Sequence, residues 1–133
     1  MTWCNDLRKK FPRLFKHIKY IECNSGWERL IEEMCLDIIR YESLVKDRIN
    51  YNPVEFTQVK IKFAELRVYY NGGYDPSDGP IITPYTFIRN VIMAYELKSK
   101  QICCICGHQS EIDIKEGRCK TCYMKWKNIK YLG

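Results

Sequence analysis

Between Trp27 and Tyr41, apolar side chains return at steps of three and four. Trp27, Leu30, Ile31, Met34, Cys35, Ile38, Ile39 and Tyr41 fall on one side, and Glu28, Glu32, Glu33, Asp37 and Arg40 on the other. That period gathers the apolar set into one stripe of an α-helix. Ser25 and Glu28 make a Ser-x-x-Glu capping box, which predicts a helix start near Gly26. Upstream, Phe11, Leu14, Phe15 and Ile18 alternate with basic residues from Arg8 to Lys19. This spacing predicts a docked amphipathic helix with Pro12 in its first turn.

After Pro53 the period changes to two. Phe56, Val59, Ile61 and Phe63 interleave with Gln58, Lys60 and Lys62, and then Leu66, Val68 and Tyr70 interleave with Arg67 and Tyr69. Two strands joined near Ala64-Glu65 satisfy this pattern. Residues 71–80 are dense in turn formers and read as an exposed loop. The Gly72-Gly73 pair has no following Gly-Lys-Ser/Thr and so does not make a phosphate loop. Thr83 can cap a further helix with Pro84 at its first position, buried through Phe87, Ile88, Val91, Ile92, Tyr95 and Leu97.

The composition is that of a folded protein: 133 residues, 46% hydrophobic and 29% charged. No apolar run approaches the roughly 20 residues of a membrane-spanning helix, so no membrane association is expected. The net charge of +6 is unevenly placed. Residues 1–20 hold six basic side chains against one acidic, and residues 98–133 hold eight against three. Two basic ends flank an acidic middle, an arrangement that suits phosphates or an acidic protein surface.

Four of the eight cysteines change the picture. Cys103-Cys104-Ile105-Cys106-Gly107 and Cys119-Lys120-Thr121-Cys122 form two Cys-x-x-Cys knuckles, the spacing of a four-thiolate zinc site on Cys103, Cys106, Cys119 and Cys122. Gly107 supplies the positive φ such turns often need. Disulfides are the alternative, but the chain opens on Met1-Thr2-Trp3-Cys4 without a secretory leader, and a reducing interior is expected. A redox pair would stand at a helix N-terminus after a strand, and a catalytic zinc would keep an open position. A closed structural Zn2+ therefore fits best, with the metal standing in for a core that about 30 residues are too few to build. Cys104 and His108 lie close enough in sequence to leave open a substitution among the ligands.

The expected fold class is α+β: amphipathic helices packed on a small antiparallel hairpin, with a C-terminal zinc ribbon. Residues 1–100 would form the α+β core, and 101–133 the ribbon with a basic aromatic tail.

With this order laid out, the chain resembles a family of small, largely uncharacterised bacteriophage proteins. Glu22-Cys23-Asn24-Ser25-Gly26-Trp27, continuing to Leu30-Ile31 and Met34-Cys35, is similar to that family's Cys-Gly-x-Gly-Trp-x-x-Leu-Ile-x-x-Leu-Cys opening. Gln58-Val59-Lys60-Ile61-Lys62-Phe63-Ala64-Glu65-Leu66-Arg67-Val68-Tyr69 is similar to its Gln-Val-Lys-Glu-Lys-Phe-Gly-Gly-Leu-Arg-Phe-Tyr block. Ala94, Ser99 and the knuckle residues complete the resemblance, which spans about residues 22 to 122. Ala64-Glu65 replaces the family's Gly-Gly, and Asn24 replaces its first glycine. The resemblance implies a phage origin and action in the cytoplasm of the infected bacterial host. It carries no established reaction.

An enzyme is not expected. His17 and His108 are the only histidines, and neither has a nucleophile or carboxylate at motif spacing. Glu28 and Glu32 lie one turn apart without a Glu-x-x-His companion and read as a solvated face. Cys23 and Cys35 read as small buried hydrophobes. The leading expectation is a non-enzymatic accessory protein that binds a host or defence-system protein. Its candidate contact face is Gln58, Lys60, Lys62, Arg67 and Tyr69 on the polar side of the hairpin. The alternative is a zinc-ribbon protein binding nucleic acid in phage transcription or DNA metabolism. In that reading Lys120, Lys125, Lys127 and Lys130 meet phosphates while Tyr123 or Trp126 stacks on bases.

Overall fold

The structure is a computed structural model that describes residues 2–47, 51–73, 87–109 and 117–132, the last four of these by backbone alone. In chain order it contains α1 (Thr2–Lys10), a 3-10 turn (Ser25–Trp27), α2 (Glu28–Val45), β1 (Glu55–Lys62), β2 (Glu65–Asn71), α3 (Phe87–Ser99) and α4 (Lys120–Leu132). The architecture is α+β, a two-stranded antiparallel sheet among helices. The expected Thr83 cap, Pro84 and the loop from Tyr74 to Pro80 lie outside the described residues.

The N-terminal helix precedes Pro12, contrary to the Arg8–Lys19 expectation. Proline has no N–H to donate and disfavours helical geometry in the residue before it, so α1 stops at Lys10 and residues 11–17 run as turns. The apolar side chains are buried all the same: Phe11, Leu14, Phe15 and Ile18 enter the core beside Trp3 and Leu7. The Phe15 ring meets Phe56 edge to face with centroids 5.2 Å apart.

α2 buries Leu30, Ile31, Met34, Cys35, Ile38 and Val45 as its period requires, but Ile39 is exposed and Glu42 is buried in its stead. On α3, Ile88, Ile92 and Tyr95 face inward, whereas Leu97 is 60% exposed. Leu97 follows Tyr95 by two residues, about 200° around the helix, so the two cannot share a buried face. Phe87 stacks on Tyr41 with centroids 4.2 Å apart and the Tyr95 hydroxyl donates to Asp37, joining α3 to α2.

The hairpin forms as the alternation predicts. Val59 pairs with Val68 and Ile61 with Leu66 on the inner face, while Gln58 with Tyr69 and Lys60 with Arg67 lie on the outer one. A bulge falls between Phe56 and Gln58. Phe63 and Ala64 make the two-residue turn, both left-handed, at φ 52° and 65°.

Both edges of this sheet are closed by groups outside it. Along β1, the Phe56 amide donates to the Leu14 carbonyl (2.8 Å), Glu22 donates to Val59 (2.8 Å), and Ile61 donates back to Glu22 (3.1 Å). Along β2, the amides of Leu66 and Val68 donate to Ser99 Oγ (2.8 Å) and to the Glu96 carboxylate (3.0 Å) on α3. Backbone groups that would template further pairing are thereby satisfied within the chain.

A candidate metal centre

The Cys103 end of the chain is held against the start of α2. The Gly26 amide donates to the Cys104 carbonyl (2.8 Å) and the Trp27 indole N–H donates to the Ile102 carbonyl (2.8 Å). A β-carbon on Gly26 would fall inside the Cys103 and Cys104 backbone, so only glycine allows this approach. The expected capping box does not form: no side chain caps this helix start, and residues 25–27 turn in 3-10 geometry, the Glu28 amide donating to the Ser25 carbonyl.

The first knuckle turns at Gly107, whose φ of 76° is the expected positive one, and its amide donates to the Cys103 carbonyl (2.9 Å). Cys103 in turn donates to the His108 carbonyl (2.9 Å), closing a small loop. The second knuckle opens α4: Cys119 precedes the helix, Cys122 lies in its first turn, and the Tyr123 amide donates to the Cys119 carbonyl (2.8 Å). This helix was not legible in the basic tail, where lysines and aromatics make no clear stripe.

The sulfurs of Cys103, Cys106, Cys119 and Cys122 all lie within 4.8 Å of one another, and those of Cys106 and Cys119 are 3.8 Å apart. Tetrahedral zinc–thiolate bonds of about 2.3 Å put ligand sulfurs about 3.8 Å apart, so the cluster fits such an ion. The amide of Cys106 points at Cys103 Sγ and that of Cys122 at Cys119 Sγ, each at 3.5 Å. Although burial pushes the Cys103 thiol up, backbone amides of Cys106, Cys119 and Ile105 outweigh it and bring it down to about 6. Burial, reinforced by hydrogen bonding to Cys119, Cys103 and Cys106, pushes the Cys122 thiol up to about 12. A cation among the four sulfurs would relieve the crowding of charge that four thiolates bring. Four cysteines are thus positioned to hold a metal ion, and four thiolates leave no ligand position open for substrate.

Cys104 is not among these ligands. It lies in the core, its amide donating to the Gly117 carbonyl (2.6 Å) and its sulfur 3.9 Å from Asn24 Nδ2. Cys35 is buried, and burial pushes the Cys23 thiol up to about 12, which leaves both as inert apolar groups.

The other candidate residues fall in two separate places. Gln58, Lys60, Lys62, Arg67 and Tyr69 share the outer hairpin face. There Gln58 donates to Glu22 (2.9 Å), Lys60 lies over the Tyr69 ring (5.7 Å), and Arg67 is paired with Glu65. Lys120, Tyr123, Lys125, Trp126 and Lys127 lie on α4, with Arg118 packed over Trp126 (4.8 Å) and the Tyr123 ring 5.8 Å from it. Lys130 belongs to the same helix, but its side chain lies outside the described residues. His17 pairs with Glu55 at the surface (3.1 Å).

Among the described residues no helix is long and apolar enough to cross a membrane. Comparison with family models, curated proteins and solved structures returns no match.

Proposed function

We propose that this chain is a non-enzymatic binding protein in which a structural zinc ion on Cys103, Cys106, Cys119 and Cys122 fastens one end of a rigid hairpin that contacts a protein partner. One observation carries the reading: the two-stranded sheet is bonded along both edges by the chain itself, which among the described residues leaves its outer face as the surface on offer. A plate fixed in this way loses little freedom on association, so more of its contact energy appears as affinity. The motif resemblance implies action inside an infected bacterium, and the partner proposed there is a host or defence-system protein.

The test is a photo-crosslinking residue placed at Gln58 or, separately, at Lys127, in the chain expressed in a bacterial host during infection. A discrete protein adduct from position 58 supports the reading. Nucleic acid crosslinked from position 127, with nothing from 58, overturns it.

A second reading has its own support. The sequence of α4, Lys-Thr-Cys-Tyr-Met-Lys-Trp-Lys-Asn-Ile-Lys-Tyr-Leu, contains four lysines and no carboxylate. Such a helix suits a phosphate backbone, and binding through it would weaken steeply with salt as counterions are released. A four-thiolate zinc site carries negative charge of its own, however, and basic residues around it also serve to balance that charge.

A further inference from the structure

Phe63 is 85% exposed, at the tip of the hairpin, in a backbone conformation that disfavours any side chain with a β-carbon. Ala64 beside it is equally left-handed. Asn-Gly would form the same two-residue turn without strain and without exposing an aromatic ring. Stability does not explain this pair of residues, and strain at an exposed position points to a use.

The surroundings of the ring suit a particular contact. Lys62 Nζ lies over its face at 5.7 Å. Among the described residues around it, the outer surface carries Lys60, Arg67 and Lys100; the Glu65 carboxylate is paired to both Arg67 and Lys100, and the Glu22 carboxylate accepts from Gln58. The Lys62–Glu65 pair closes the ladder at the base of the turn. An exposed aromatic on a hairpin stem, with the Lys62 ammonium over its face, has the composition of an interface anchor.

We propose that Phe63 is the anchor of the protein-binding face: it enters an apolar pocket on the partner whose rim carries carboxylates that meet Lys60, Lys62 and Arg67. This rests on the reading that the outer hairpin face binds protein, and names what is recognised there. The partner segment is acidic and apolar.

The probe is a displayed library of short random peptides, selected on the full-length, zinc-loaded chain, with affinities of the enriched peptides read by fluorescence anisotropy. The expected peptides hold a large apolar residue flanked by Asp or Glu. Wild type and Ala64→Gly should bind them alike. The double variant Phe63→Asn with Ala64→Gly should bind at least about tenfold more weakly, while its melting temperature equals or exceeds that of wild type. A loss of binding with retained stability separates anchoring from folding. Peptides that bind the double variant as well as wild type, yet are lost in Lys60→Glu, overturn the anchor and leave the face intact. Peptides indifferent to both changes, or no enriched peptides, overturn the anchor and the face together.

Discussion

The indole N–H of Trp27 donates to the Ile102 carbonyl at 2.8 Å, so a fully buried side chain at the start of α2 holds the segment that leads into the first knuckle. The bond spans 75 residues and couples the packing of the core to the geometry of the metal centre. Replacing Trp27 by Phe keeps an aromatic ring but leaves a cavity and a carbonyl without its donor. The expected loss is about 2–4 kcal/mol in urea unfolding, together with weaker metal retention against a chelator.

Metal binding should be stoichiometric, one ion per chain, and cobalt substitution should give the absorption of a tetrahedral thiolate site. Cys106→Ala and Cys122→Ala should each abolish that spectrum. Cys104→Ala should preserve it, because that sulfur lies in the core beside Asn24 and away from the four ligands. Chelation should lower the melting temperature, since binding free energy at a structural site is also folding free energy.

Glu42 is buried on α2, where it accepts from the Tyr51 hydroxyl (2.7 Å), the Val54 amide (2.8 Å) and the Arg13 guanidinium. One carboxylate thereby fastens the N-terminal segment and the entry to β1. Glu42→Gln turns one acceptor oxygen into a donor facing other donors and unpairs Arg13. The expected cost is about 2–3 kcal/mol by denaturant unfolding.

Glu96 should give stability a distinct pH dependence. Burial holds its carboxyl above the usual 4.5, against the lowering effects of the Val68 amide and Arg67. The folded state therefore keeps this proton more readily than the unfolded chain does, and the group's contribution to stability falls as pH rises through that range. Glu96→Gln retains an acceptor for Val68 without the charge. Its stability relative to wild type should improve from pH 4 to pH 7; a constant difference across that range would contradict the assignment.

The sequence by itself determined the hairpin, most of the α2 stripe and the four-cysteine cluster. Alternation at 56–70 dictated a hairpin because a strand has period two, and the Cys-x-x-Cys spacing dictated the knuckles because two thiolates separated by a tight turn converge on one point. The α2 stripe followed from its period as far as Ile38. Where the neighbour across the core decided the outcome, local reasoning failed for physical reasons. Ile39 departs from the expected burial, and Glu42, which no periodic reading places inside, is buried because Arg13, Tyr51 and the Val54 amide, from other parts of the chain, solvate its carboxylate. The capping box does not form: the Glu28 amide donates to the Ser25 carbonyl in a 3-10 turn, and no side chain caps the helix start. Closure of both sheet edges by Leu14, Glu22, Glu96 and Ser99, and the docking of the knuckle on Trp27, depend on residues tens of positions apart. Hydrogen bonds of that kind leave no periodic trace in a sequence, since either partner is an ordinary residue until the fold brings the other within 3 Å.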